Sequence, residues 1–182
     1  MSSHPEQETE GLTSEEETDK QRYLVFKIQD QMYAFPLMNI QEVNGLLQIT
    51  PLPNVPKYYR GLINLRGKII SVIDLRMKFG LKDIVDRDKS TSIVINILEN
   101  SVIGCVVDEV AKVETFSNSQ IDFSGETSGR QVGDGVVGIA KTIEKQKDGS
   151  EVQKMILILS IEKLLSKSDH RMLAQNEPEA SK

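Results

Sequence analysis

The chain has 182 residues, 38% of them hydrophobic, with 22 Lys plus Arg against 27 Asp plus Glu and a formal net charge of -5. That is apolar material enough for one ordinary domain or two small packed units, and too little positive charge to collect phosphate backbones, which argues against nucleic acid as a partner. No run approaches the roughly 20 apolar residues that span a bilayer, and the acidic start lacks the basic and apolar stretches of a secretory signal, so the expected compartment is the cytosol.

Residues 1–22 carry Glu6, Glu8, Glu10, Glu15, Glu16, Glu17 and Asp19 with almost nothing apolar. Such a segment cannot offset the entropy of ordering itself and is expected to be a disordered acidic tail. YLVFKI at Tyr23 to Ile28 then alternates, with Leu24, Phe26 and Ile28 on one face, and Gln29 to Gln31 turn the chain into MYAFPL as a hairpin. A short helical stretch through Ile40 and Val43 is expected to end at Asn44 and Gly45, before Pro51, Pro53 and Pro56 impose an extended loop. LINL, a tight turn at Arg66 and Gly67, and KIISVID form a second hairpin, closed by LRMKFG as a helical turn.

The second half repeats this order. SIVINIL, a turn at Glu99 and Asn100, and SVIGCVVDEV copy the first hairpin, and the polar stretch from Ser117 to Gln131 replaces the proline loop. GVVGI echoes GLINL, and MILILSIEKLL echoes IISVIDLRMKF, which sets Ser160 opposite Asp74 as a helix N-cap. This is an internal pseudo-duplication. The expected organisation is a folded region over 23–167, made of one β unit at about 23–81 and another at about 91–165, with KDIVDRDKS between them. Intertwining of the units at their termini is left open, and a polar C-terminal tail is expected over 168–182.

The residue types that usually carry chemistry are scarce. His4 and His170 both fall in the expected tails, and Cys105 lies inside the apolar run Val102 to Val107, where a strand buries it as a small hydrophobe. No metal ion or cofactor is expected. Asp74 and Arg76 in VIDLR lack the glycine-rich loop and lysine-bearing strand of a kinase, and Asp108 and Glu109, as strand neighbours, point to opposite faces. GDGVVG, Gly133 to Gly138, has a polar loop before it and β-branched residues after it, the reverse of a dinucleotide fingerprint.

GLINLRGKIISVIDLRMKFGL, Gly61 to Leu81, closely resembles the most characteristic segment of the CheW family of chemotaxis coupling proteins. YLVFKI, IQEV, PNVPKYYRG, IGCVVDEV and ILSIEKLL extend the likeness over nearly all of the folded region. The resemblance implies a mainly β protein of two SH3-like barrels, about five strands each, packed on one another with short helices, and no chemistry. It also implies two partners: the regulatory domain of the histidine kinase CheA, and the cytoplasmic tip of a chemoreceptor in membrane-associated arrays. Ser71 stands where many relatives have proline, Ser160 where many have aspartate, and the loop around 125–135 does not match the family pattern.

Arg66, at a turn tip that presents its planar fork of donors to a carboxylate, is the leading candidate for receptor contact as the resemblance implies; from the residues alone it could equally be an Arg that solvates a turn. Glu42 and Ile69 are further receptor-contact candidates, and Ile40 and Gly61 are candidates for the kinase surface, as the resemblance implies. Ile40 could equally be core. Gly61 could equally be a backbone necessity. The rival from a different class is a small carboxylate-dependent hydrolase with its site between the two β units; convergent acids in a cleft would favour it.

Overall fold

The computed structural model describes residues 19–83, 91–98, 101–123, 133, 135–145 and 148–175. Strands β1 (Lys20–Ile28) and β2 (Gln31–Pro36) lead through a 3-10 turn at Leu37–Asn39 into β3 (Ile40–Gly45). The proline loop follows, then β4 (Tyr59–Leu65), β5 (Lys68–Asp74) and the one-turn helix α1 (Leu75–Lys78). The second half supplies β6 (Ser92–Ile97), β7 (Val102–Val107), β8 (Glu109–Ser117), a 3-10 turn at Asn118–Gln120, and β9 (Ile121–Asp122). It ends with β10 (Val136–Lys145), β11 (Glu151–Leu159), α2 (Ile161–Leu164) and α3 (Lys167–Gln175). The chain is mainly β, as expected, with short helices.

The strands form two sheets, in the orders β3-β6-β7-β5-β4 and β8-β1-β2-β11-β10-β9. The sheets do not follow the two halves of the chain. Hairpin β1–β2 sits in the sheet built from the second half, and hairpin β6–β7 sits in the sheet built from the first. Once this exchange is made the two sheets have one plan. In each, the borrowed hairpin lies next to a hairpin ending in a capped helix, through a parallel pairing: β7 with β5, and β2 with β11.

The duplication extends to the irregularities. A register shift lies between Ile40 and Glu42 on β3 and a matching one between β1 and β8. Gly61 opposite Val72 and Gly138 opposite Ile158 each follow a register shift. Asp74 caps α1 by accepting from the backbone N–H groups of Arg76 and Met77, and Ser160 caps α2 by accepting from Lys163.

The borrowed strands carry buried residues on both faces, and alternation assigns those side chains to different cores. Leu24, Phe26 and Ile28 of β1 join Val94, Ile103, Cys105 and Val107 in a core between the units. Tyr23 and Val25 enter the core of one unit with Phe116, Ile156 and Ile158. Ile93 and Ile95 enter the core of the other with Ile63, Ile70 and Val72. The exchanged hairpins thus stitch the two units through apolar contact.

Four local expectations are corrected. Ile40 to Gly45 form strand β3 and not a helical stretch, because their backbone pairs with β6 and the β-branched Ile40 and Val43 suit that ladder. SVIGCVVDEV divides at Asp108 into β7 and β8, which belong to different sheets. Ordered structure starts before residue 23, since Lys20, Gln21 and Arg22 pair with Ser117, Phe116 and Thr115. Finally, the polar stretch from Ser168 opens within helix α3, which buries Leu173 and Asp169. The rest of the acidic tail, most of KDIVDRDKS, the Glu99–Asn100 turn and most of the loop around 125–135 lie outside the described residues.

Candidate partner-binding site

Leu65, Arg66, Gly67 and Lys68 make a two-residue hairpin turn with φ of 53° at Arg66 and 86° at Gly67. Two positive values mark the type I′ turn that the twist of paired strands favours. Asn64 supports it by accepting from the Gly67 N–H through Oδ1 at 2.9 Å. This turn lifts Arg66 off the sheet, leaving its side chain 81% exposed.

One guanidinium nitrogen of Arg66 nevertheless donates to Glu42 Oε2 at 3.0 Å. Strands β3 and β4 are the two edges of their sheet, so this pair joins opposite edges across the open side. The backbone adds a second closure, because Thr50 and Leu62 exchange N–H···O bonds of 2.8 Å in both directions. Glu42 is only 17% exposed, and its Oε1 is buried with no hydrogen-bond partner among the described residues. The contact engages one nitrogen of the Arg66 fork, while the guanidinium carries five N–H donors in all.

Ile69 lies on the strand leaving this turn and is 39% exposed. Ile40 begins β3 and packs half-buried against the core between the units. Gly61 is buried at φ 130°, and a Cβ there would stand 2.0 Å from the Thr50 carbonyl oxygen. The structure therefore brings Arg66 and Glu42 into contact, puts Ile69 beside their turn, and sets Ile40 and Gly61 further into the fold. Val43 and Leu46, which the sequence did not single out, are also exposed apolar groups.

A second polar cluster escaped the sequence reading. Asp169, 1% exposed, accepts from Tyr58 Oη at 2.5 Å, Lys78 Nζ at 2.6 Å and the Ser166 N–H at 2.8 Å. The Asp169 N–H returns a bond to Ser166 Oγ, completing a capping box for α3. Lys78 also lies 4.1 Å from the centroid of the Tyr58 ring. Burial raises the Asp169 pKa, but the bonds from Lys78, Tyr58 and Ser166 outweigh it and hold the carboxyl at about 2. Burial, together with the Asp169 bond and charge, pushes the Tyr58 hydroxyl up to about 12. The signal in the sequence was Ser166-x-x-Asp169, a helix-start pattern hidden in an otherwise polar stretch.

The other acids named from the sequence have structural partners. Asp74 is a cap, and Asp108 accepts from Arg76 Nη1 and the Gln29 N–H, both at 2.7 Å, tying α1 to the β1–β2 turn. Among the described residues no group of three His, Cys, Asp or Glu could hold a metal ion, and no helix is long and apolar enough to cross a membrane. A cleft of about 450 Å³ does open between the units, but none of its described lining residues is acidic. Among the described residues, the convergent carboxylates that the hydrolase reading requires are not brought together there.

These features define a duplicated β protein with an exposed arginine at a hairpin tip. The CheW-like domain family matches residues 22–169, and the chain belongs to that family of chemotaxis scaffolds. It is 31% identical over 160 residues to the chemotaxis protein CheW of Klebsiella aerogenes, covering 88% of this chain and 90% of that one. It is 32% identical to the CheW of Thermotoga maritima, over 78% of this chain and 85% of that one. The protein FrzA of Myxococcus xanthus is 25% identical over 86% of this chain and 92% of its own. Among solved structures, the scaffolding protein TtCheW from Thermoanaerobacter tengcongensis matches with a TM-score of 0.68 at 30% identity, covering 82% of this chain and 94% of that one.

Proposed function

We propose that this protein is a cytoplasmic adaptor, without chemistry of its own, that couples chemoreceptor cytoplasmic tips to the regulatory domain of CheA and so controls kinase autophosphorylation. The observation that carries this reading is the Arg66 fork, exposed at a type I′ turn and half engaged by Glu42. Arg66, Glu42 and Ile69 are assigned to the receptor. Ile40 and Gly61 are assigned to the kinase surface, Gly61 by letting the Thr50–Pro51 backbone lie against β4.

The adaptor shifts kinase populations only by as much as its affinity differs between kinase states, and an array multiplies modest contacts. Recruitment to receptor arrays is the expected location. The test is co-sedimentation of kinase with receptor-bearing membranes, together with autophosphorylation, for wild type and Arg66→Glu, after equal thermal unfolding is established. Recruitment and stimulation by wild type but not the variant support both the function and Arg66. Equal behaviour removes Arg66 from the interface, and no recruitment by wild type overturns the function.

A further inference from the structure

The cleft between the units lies where the two halves of the duplication meet. It is lined by Lys78 at the end of α1 and Phe79 just after it, and by Leu164 in α2 and Leu165 just after it. Tyr33 of β2, Val136 of β10 and Leu157 of β11 complete an apolar floor, where the Tyr33 and Phe79 rings stack at 5.2 Å between centroids. At about 450 Å³ it falls within the range of small-molecule sites, which run from about 300 to about 1,000 Å³.

The charged groups among its described lining residues are cationic. Lys78 and Lys163 line the cleft, and no described lining residue is acidic. Lys78 is fixed in place by Asp169 at 2.6 Å, yet an ammonium has three donors. Lys163 is exposed on α2. Tyr33 adds a hydroxyl to the same lining. An apolar floor with aromatic walls and a cationic rim is complementary to a molecule with an apolar body and a single anionic end.

We infer that this cleft binds a small amphipathic carboxylate, with the chain against Tyr33, Phe79, Leu157 and Leu164 and the carboxylate at Lys163 and Lys78. None of the residues assigned above to receptor or kinase lines the cleft, so the inference is tested apart from the coupling function. Occupancy would bridge α1 of one unit and α2 of the other.

The probe is octanoate, titrated into the full-length protein and followed by backbone amide NMR. Saturable shifts centred on Gly133, Val136, Lys163 and Ser166 are expected. Octanol, which keeps the chain and loses the charge, should bind at least tenfold more weakly, and acetate should not saturate. Lys163→Glu, an exposed change that leaves the core intact, should weaken octanoate at least tenfold, whereas Arg66→Glu should leave it unchanged. Shifts that never saturate, that map elsewhere, or that ignore Lys163→Glu would overturn the site. Equal binding of octanol and octanoate would overturn the carboxylate assignment.

Discussion

Arg66 on the β4–β5 turn and Glu42 on β3 pair at 3.0 Å across the two edges of one sheet, with one partner exposed and the other nearly buried. Arg66 itself is open to water, and an exposed ion-pairing side chain contributes little to stability, so Arg66→Ala should cost less than about 1 kcal/mol in chemical denaturation. Loss of receptor-dependent kinase recruitment by the same variant would then reflect the interface and not the fold. A cost several times larger would reassign Arg66 to closing the sheet.

Asp169 should behave in the opposite way. Removing a buried carboxylate that serves Lys78, Tyr58 and the start of α3 should cost about 3 kcal/mol in Asp169→Ala. Its folded pKa of about 2 lies below the ordinary 3.8, so its contribution is present above about pH 4 and is lost as pH falls through the folded value. That contribution is roughly 2 kcal/mol by linkage. Urea denaturation of wild type between pH 5 and pH 2 (about one step per pH unit) should show the loss, and Asp169→Asn should remove that part of the slope.

The two glycines at matching places should not be equally sensitive. At Gly61 a side chain meets backbone at 2.0 Å and φ is 130°, whereas at Gly138 it meets the Ile121 Cγ2 at 2.9 Å. Gly61→Ala should cost at least about 3 kcal/mol, from strain together with overpacking, and Gly138→Ala about 1 kcal/mol. Thermal unfolding of both variants checks the order.

Cys105 should be silent to thiol reagents in the native protein. It is wholly buried, and burial pushes its thiol pKa up, against a smaller lowering from the Asn96 side chain. Labelling should therefore proceed at the rate of unfolding, and should accelerate in parallel with destabilisation across the variants above. Rapid labelling of the folded protein would show that the core between the units opens readily.

The hairpin turn that carries Arg66 and the helix caps were legible in the sequence because turns and caps are local. Arg66–Gly67 announces a hairpin tip and Asp74 a cap from immediate neighbours alone, and the structure has both. The Arg66 contact with Glu42 was not legible, since it depends on two sheet edges that meet only after folding. Asp169 was missed for the same reason, because its partners Tyr58 and Lys78 lie 111 and 91 residues away.

What the sequence by itself determined was the inventory: alternation fixed which residues face a core, and the repeated order of segments fixed two like units. Which strands share a sheet was decided only in three dimensions. Hairpins β1–β2 and β6–β7 are apolar on both faces, so their pattern records that they are buried without recording by which half of the chain. Exchange between the units satisfies the same periodicity as a sequential arrangement, and the parallel pairings of β2 with β11 and β7 with β5 distinguish the two. Short-range patterning reports burial, and long-range pairing supplies the identity of the neighbour.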